Sequence, residues 1–469
     1  MEEVQTLPPL PSDIVSHILH ELHPCCWHAA SRVCTAWRAA ARLSWEGVAE
    51  LSVAVVEGQT KAFFRRLDGS STPALIPAGS FDHEGFMWLN LASEDEGELS
   101  IACLDRLLLA LPRVQSLALR DVRLTGEART GRDTLPEPEG ADPTLALLVH
   151  LLSTCPLVEA VSLQACSGSA LDAGAARGAR GARRAPTFAR LRALQITQMD
   201  GPEMAAARWL IGRMPRLRLL DLAWSDTDLG CLLCLPRAVE CVNFVGCAAV
   251  GEARVRELVR SPLHSALVHI SLPTGMPLTV ALEICASVPA LRTLASAGAY
   301  SDSAGPHISF HHAQLRTLNL SALLLNHACC LELACPSLAV LDLRQDVFVF
   351  GGVSGLLLRE TPALEALDVR WNAQLALQPI AFMPKLRSAL LEGCASLSAP
   401  MLYELVQSAP RIEELEMNEC DGLRNEPAVF SLAFALALRS SPRLRYTLPS
   451  GVKGVGLDVP SSALAHDFP

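Results

Sequence analysis

From Val114 onward the apolar positions of the chain fall into one recurring pattern, LxxLxL. It reads VQSLAL from Val114, VEAVSL from Val158, LRALQI from Leu191, LRLLDL from Leu217, VECVNF from Val239, LVHISL from Leu267 and LRTLAS from Leu291. It continues as LRTLNL from Leu315, LAVLDL from Leu338, LEALDV from Leu364, LRSALL from Leu386 and IEELEM from Ile412, with a worn copy, LRYTL, from Leu444. Weaker copies stand upstream, VAELSV from Val48 and FMWLNL from Phe86. Within each copy the last positions alternate apolar, polar, apolar, the period-two signature of a strand with one buried face. Between copies the apolar spacing lengthens to three or four, as in EARVRELVRSP from Glu252, VALEICASVP from Val280 and MLYELVQSAP from Met401. These segments read as helices, each stopped by its final proline.

From Leu191 to Ile412 successive copies lie 26, 22, 28, 24, 24, 23, 26, 22 and 26 residues apart. Pattern and spacing together resemble leucine-rich repeats, whose unit is roughly 20–29 residues. The resemblance extends over residues 43–450 and implies an α/β solenoid, a horseshoe with a parallel inner sheet and outer helices. Cys166, Cys247, Cys394 and Cys420 follow their strands where the cysteine-containing subclass of these repeats places a cysteine, and their expected role is packing at the turn. Two stretched intervals hold insertions at 125–143 and 167–186, rich in Gly, Pro, Ala and charge, which read as flexible loops. The second carries Arg177, Arg180, Arg183 and Arg184. Residues 451–469 read as a C-terminal tail.

Residues 1–42 carry a different pattern. The segment LPSDIVSHILHELHPCCWHAASRVCTAWR from Leu10 opens with Ser12 and Asp13, which cap a helix whose Ile14, Ile18 and Leu22 form a stripe at spacing four. Pro24 ends it, and a second short helical pattern carries Ala30, Val33, Cys34 and Trp37. A unit of this size is too small to bury two such stripes alone, so it needs a partner. Leu10, Pro11, Asp13, Ile14, Ile18, Leu19, Leu22, Val33, Cys34, Trp37 and Arg38 match the F-box pattern without a gap. Trp27 stands where that family usually has Leu, and Ala30 where a larger side chain is common. The segment thus resembles an F-box. The resemblance implies docking onto a Skp-type adaptor, and through it onto cullin and RING subunits, with Leu10, Pro11, Ile14, Ile18, Leu19, Leu22, Val33 and Trp37 at the contact. Burying four or five such side chains at roughly 1.5–3 kcal/mol each supplies ample gross energy, part of it lost to association entropy.

If the strands stack as the repeats imply, the residues between the inward apolar positions line the concave face. They include Asp221, Asp342, Asp368, Glu392, Glu414, Glu416 and Asn418, with Arg120, Arg344 and Arg370 among them. Trp224 and Trp371 fall at its rim, either as interface anchors or packed on the neighbouring repeat. The acidic bias of the C-terminal strands points to a target bearing Lys or Arg.

Composition narrows the function further. Half of the 469 residues are hydrophobic and 19% charged, so a packed core is required and full disorder is excluded. A net charge of −10 disfavours nucleic acid as the partner of the whole chain. Aromatics make up only 5%, so the core is built from Leu, Ala and Val. The first 13 residues carry acids and prolines instead of a signal peptide, and no 18-residue apolar run predicts a membrane span. The 16 cysteines then read as reduced thiols of a cytoplasmic or nuclear protein.

No nucleotide loop, nucleophile elbow or zinc-protease motif is present, and neither a cofactor nor a metal is expected. His17, His20, His23, Cys25, Cys26 and His28 are close in sequence, but His17 and His20 lie on the helix that docking needs and no second cluster completes a site. Cys231 and Cys234 likewise lack a second pair. The expected function is therefore non-enzymatic: the substrate-recognition adaptor of an SCF-type ubiquitin ligase, its F-box on the adaptor and its repeats on a target protein. Two alternatives stand beside it, a non-degradative interaction scaffold and a small-molecule-dependent F-box receptor.

Overall fold

A computed structural model describes residues 48–56, 59–66, 87–90, 98–111, 113–125, 148, 151–152, 154–166, 188–198, 213–225, 235–248, 250–261, 265–300, 307–325, 329–345, 353–377, 382–425, 427–441 and 444–449. The whole F-box segment, nearly all of both insertions and the tail lie outside them; Thr125, taken as the first insertion's start, closes a strand. The chain divides into two compact units, Met1–Val242 with Gly246–Val250, and Asn243–Val245 with Gly251–Pro469.

The first unit holds β1 (Val48–Val56), β2 (Gln59–Arg66), β3 (Met87–Asn90), β4 (Glu98–Ser100), α1 (Ile101–Ala110), β5 (Ser116–Arg120), β6 (Arg123–Thr125), β7 (Ala160–Gln164), β8 (Ala193–Thr197) and β9 (Leu219–Asp221). Its main sheet runs β3-β2-β1-β5-β7-β8-β9. From β1 to β9 through β5, β7 and β8 the strands are parallel, and their apolar positions align, Leu51 with Leu117 and Leu117 with Val161. The copy from Phe86 departs from expectation. β2 returns antiparallel to β1 and β3 antiparallel to β2, so that segment is not a stacked repeat. Only two residues separate β1 from β2, the length of a hairpin loop and far too short for a parallel crossover. β4 pairs with β6 and leads into α1, where Ser100 accepts a hydrogen bond from the Cys103 amide at 3.1 Å as N-cap.

The second unit holds α2 (Glu252–Arg260), β11 (His269–Ser271), α3 (Leu278–Ser287), β12 (Thr293–Ala295), β13 (His307–His311), β14 (Thr317–Asn319), β15 (Cys329–Ala334), β16 (Val340–Asp342), β17 (Val353–Leu358), β18 (Ala366–Asp368), β19 (Ala376–Leu377), β20 (Ser388–Leu390), α4 (Ala399–Ser408), β21 (Glu414–Glu416), α5 (Pro427–Ser440) and β22 (Arg445–Thr447); β10 (Cys241–Asn243) spans the division between the units. Strands β11, β12, β14, β16, β18, β20, β21 and β22 form a parallel sheet in that order. Its ladders are in register with the sequence repeat: Ile270, Leu294, Leu318, Leu341, Leu367, Ala389 and Leu415 stack in one row, each at most 1% exposed. Leu267, Leu291, Leu315, Leu338, Leu364, Leu386 and Ile412 form a second buried row. A buried Leu or Ile contributes about 1.5–3 kcal/mol, so these rows are the main cohesion between repeats.

The layer behind this sheet is only partly helical. Helices α2, α3, α4 and α5 occupy the expected places, but β13, β15, β17 and β19 form a second parallel sheet where more outer helices were expected. The sequence explains the difference. HISFH and CCLELA alternate buried and partly exposed positions along β13 and β15, and such short alternating runs suit a half-buried strand.

Most strands of the repeat end in the same turn. A residue two positions past the last inward apolar one takes a left-handed backbone: Asp121, Ala165, Gln198, Trp224 and Gly246 in the first unit, and Gly298, Ala322, Trp371, Gly393 and Glu419 in the second. The next side chain often donates to the carbonyl of the third apolar position one repeat earlier. Thus Cys166 Sγ reaches Leu119 O at 3.3 Å, Ser225 Oγ reaches Ile196 O at 2.8 Å, and Cys247 Sγ reaches Leu222 O at 2.8 Å. In the second unit Asn372 Nδ2 reaches Leu343 O at 2.8 Å, Cys394 Sγ reaches Val369 O at 3.2 Å, and Cys420 Sγ reaches Leu391 O at 3.0 Å. A short buried donor at this point satisfies a carbonyl that the ladder leaves over.

Candidate protein-binding surface

Because side chains alternate along a strand, each LxL buries two residues and turns the one between them away from the core. In the first unit this places Ser162, Gln195 and Asp221 side by side. Ser162 Oγ donates to Gln195 Oε1 at 2.8 Å, and Gln195 Nε2 donates to Asp221 Oδ2 at 3.0 Å. Asp221 Oδ1 also accepts from the Ala223 amide at 3.0 Å, which fixes the turn below it. Arg120, at the end of β5, donates to Asp121 Oδ2 at 3.2 Å.

In the second unit the same row holds Asn319, Asp342, Asp368, Leu390 and Glu416, with Arg344, Arg370, Glu392 and Asn418 two residues further along. Asn319 Nδ2 donates to Asp342 Oδ2 at 3.1 Å, and Asp342 Oδ1 accepts from the Arg344 amide at 3.2 Å. Burial pushes the Asp342 carboxyl above the usual carboxylate range, against the pull of the Arg344 amide and guanidinium. Arg370 forms a two-point contact with Asp368, Nε to Oδ1 at 3.0 Å and NH2 to Oδ2 at 2.8 Å, and its NH1 lies 4.0 Å from Glu416. The Asp368 hydrogen bonds raise the guanidinium pKa, so it stays charged. Beside them Ser388 Oγ donates to Glu414 Oε2 at 2.7 Å, and Arg445 pairs with Glu414 Oε1 at 3.2 Å.

The expected inner-face residues Asp342, Asp368, Glu392, Glu414, Glu416, Asn418, Arg344 and Arg370 therefore come together on one open sheet face of the second unit, whereas Asp221 and Arg120 belong to the first. Gln195, Asn319 and Ser388, which bond to these acids, and Ser162, which bonds to Gln195, escaped the sequence reading. They occupy the same between-apolar positions, and only their lack of charge hid them.

The two tryptophans resolve in a shared way. Trp224 and Trp371 both sit in the left-handed turn, at φ 59° and 63°, a conformation disfavoured for a bulky residue. Each lies against the glycine at the equivalent position of the following repeat, Gly246 or Gly393, where an added Cβ would come within 2.3 Å of the indole. Packing on the neighbouring repeat is thus real for both. Trp224 nevertheless remains 61% exposed, while Trp371 is half-buried.

The cysteines of the turns are the reverse of reactive. Burial pushes the Cys166 thiol up to about 11 and the Cys420 thiol up to about 12, and it also raises that of Cys394. Among the described residues no group of three or more His, Cys, Asp and Glu is placed to hold a metal ion, and no helix is long and apolar enough to cross a membrane. Leu10, Pro11, Ile14, Ile18, Leu19, Leu22, Val33 and Trp37 lie outside the described residues, as do His17, His20, His23, Cys25, Cys26 and His28.

Comparison with known proteins bears on both parts of the chain. A family model described as F-box-like matches residues 7–48, so the chain carries an F-box-like domain at its N-terminal end. No curated protein matches the chain. Among solved structures, the crystal structure of a TLR13–ssRNA13 complex is similar at 13% identity with a TM-score of 0.28. That match covers 69% of this chain and 45% of the other, so this chain spans less than half the length of the protein it matches.

Proposed function

We propose that the chain is the substrate-recognition subunit of an SCF-type cullin–RING E3 ubiquitin ligase. The observation that carries the reading is the F-box-like domain at residues 7–48 joined to a long parallel sheet with one open, polar and charged face. The F-box-like domain binds a Skp-type adaptor through Leu10, Pro11, Ile14, Ile18, Leu19, Leu22, Val33 and Trp37. The repeats are leucine-rich repeats of the cysteine-containing subclass, and the open face of their parallel sheet takes the target protein. The regular strand register, the left-handed turn and the Cys, Ser and Asn donors behind it support that reading.

In this role the chain contributes position and no chemistry. It holds a target lysine near a RING-bound conjugating enzyme, which turns an encounter between two molecules into one within a complex. It acts in the cytoplasm or nucleus, needs no cofactor and is not itself an enzyme. Mixing the full chain with a Skp-type adaptor, a cullin and a RING subunit tests this, with elution of all four as one species as the expected result. A chain that takes the adaptor yet never recruits the cullin is a scaffold, and the ligase reading falls.

A further inference from the structure

The open sheet face of the second unit is graded along its length. At its first strands the outward side chains are neutral, with Thr293, Ala295, Thr317 and Asn319 followed by Val340, an apolar residue 39% exposed. From β16 onward five carboxylates, Asp342, Asp368, Glu392, Glu414 and Glu416, face three guanidiniums, Arg344, Arg370 and Arg445. The guanidiniums are already engaged: Arg344 lies 3.5 Å from Asp342, Arg370 lies 2.8 Å from Asp368, and Arg445 lies 3.2 Å from Glu414. Among the described residues, the cation near Glu416 is Arg370 at 4.0 Å, and Glu392 adds its field at the same guanidinium. The excess negative charge therefore collects around Glu392 and Glu416. Next to Glu392 stands the half-buried indole of Trp371, which covers the following residue, Gly393, and offers an apolar wall there.

We infer that this face receives an extended protein segment in which an aliphatic residue sits at Val340 and Lys or Arg side chains reach Glu392 and Glu416 alongside Trp371. The inference rests on the proposed function, since it names the chemistry of the target that the face would hold. Charge complementarity selects the occupant, because an acidic or neutral segment leaves the two least-compensated carboxylates desolvated against nothing. Arginine gains most: its planar guanidinium meets a carboxylate in two-point fashion and stacks on an aromatic face. Spacing follows from the sheet. Val340 is level with Glu414, so Glu416 lies three strand-to-strand steps across and two residues along, and Glu392 two steps across and four residues along. Both spans are about 16 Å, which an extended chain covers in about five residues. The segment therefore carries its basic residues about five positions from the aliphatic one.

The test is to pan a display library of random twelve-residue peptides against the full chain bound to its adaptor, and against the Glu392→Lys, Glu416→Lys variant. Both substituted side chains are partly exposed, and matched thermal melts show that the variant is folded. The expected result is enrichment of peptides pairing an aliphatic residue with Lys or Arg about five positions away, by more than about tenfold, and loss of that motif with the variant. Enrichment of neutral or acidic peptides, no enrichment at all, or the same basic motif against the variant overturns the inference. Adaptor capture is scored separately in the same samples, so failure of the ligase reading is distinguishable from failure of this one.

Discussion

Two glycines show how single positions hold the repeats together. Gly246 and Gly393 have φ of 74° and 72°, and the indoles of Trp224 and Trp371 lie where their side chains would be. Gly393→Ala is expected to destabilise the chain by about 1–3 kcal/mol through the left-handed backbone alone, with a further loss from displacing the half-buried indole. Gly246→Ala should cost less, because the Trp224 indole is mostly exposed and can swing into solvent. Denaturant titration of both variants checks the order, and Trp371→Ala added to Gly393→Ala should cost less than the two losses combined. The buried thiols give a second residue-scale expectation. Cys155, Cys285 and Cys420 are pushed up to about 12 from an ordinary value of 9.0, in each case chiefly by burial. Above pH 9 the unfolded chain releases these protons while the folded chain keeps them, so stability falls as pH rises from about 9 toward 12. Melting temperatures measured across that range should decline, and alkylation of these thiols should wait for unfolding.

At the scale of elements, the turn behind each strand is the joint between repeats. Asn372 is 2% exposed; its amide nitrogen donates to Leu343 O at 2.8 Å and Val369 O at 3.0 Å, and its Oδ1 accepts from the Val353 amide at 3.2 Å. Asn372→Ala strands these groups without water and is expected to cost about 1–3 kcal/mol for each one left unpaired. Asn372→Cys should recover part of that loss, since Cys394 makes the equivalent bond one repeat later. Chemical denaturation of the two variants decides it, and equal losses would refute the ladder. The strands of this joint were legible in the sequence, because LxxLxL fixes both which residues face inward and where the next copy begins. The second sheet was not. HISFH and CCLELA alternate over only five and six residues, and a pattern that brief does not by itself separate strand from helix. The antiparallel pairing of β2 and β3 was hidden for a related reason: FMWLNL matches the repeat in composition, and only the short link between β1 and β2 reveals the hairpin. On the open face only charge marked a residue out, so the acids were legible while the neutral Gln195, Asn319 and Ser388 that bond to them, and Ser162 beside Gln195, were not.

In the whole molecule, an F-box-like domain at residues 7–48 precedes the stacked parallel strands. The ordering of charge along that surface could be read from the sequence only as a bias; which carboxylates are compensated required the pairs themselves. The proposed function depends first on the stripe of Ile14, Ile18 and Leu22 in the F-box-like domain. Co-expression with a Skp-type adaptor followed by pull-down, comparing wild type with a chain carrying Pro11→Ala, Ile14→Asp and Ile18→Asp, tests it directly. The account predicts that wild type alone retains the adaptor, since two buried charges in the stripe would each cost several kcal/mol. Failure of the wild-type chain to bind, with its repeats still folded, would contradict it.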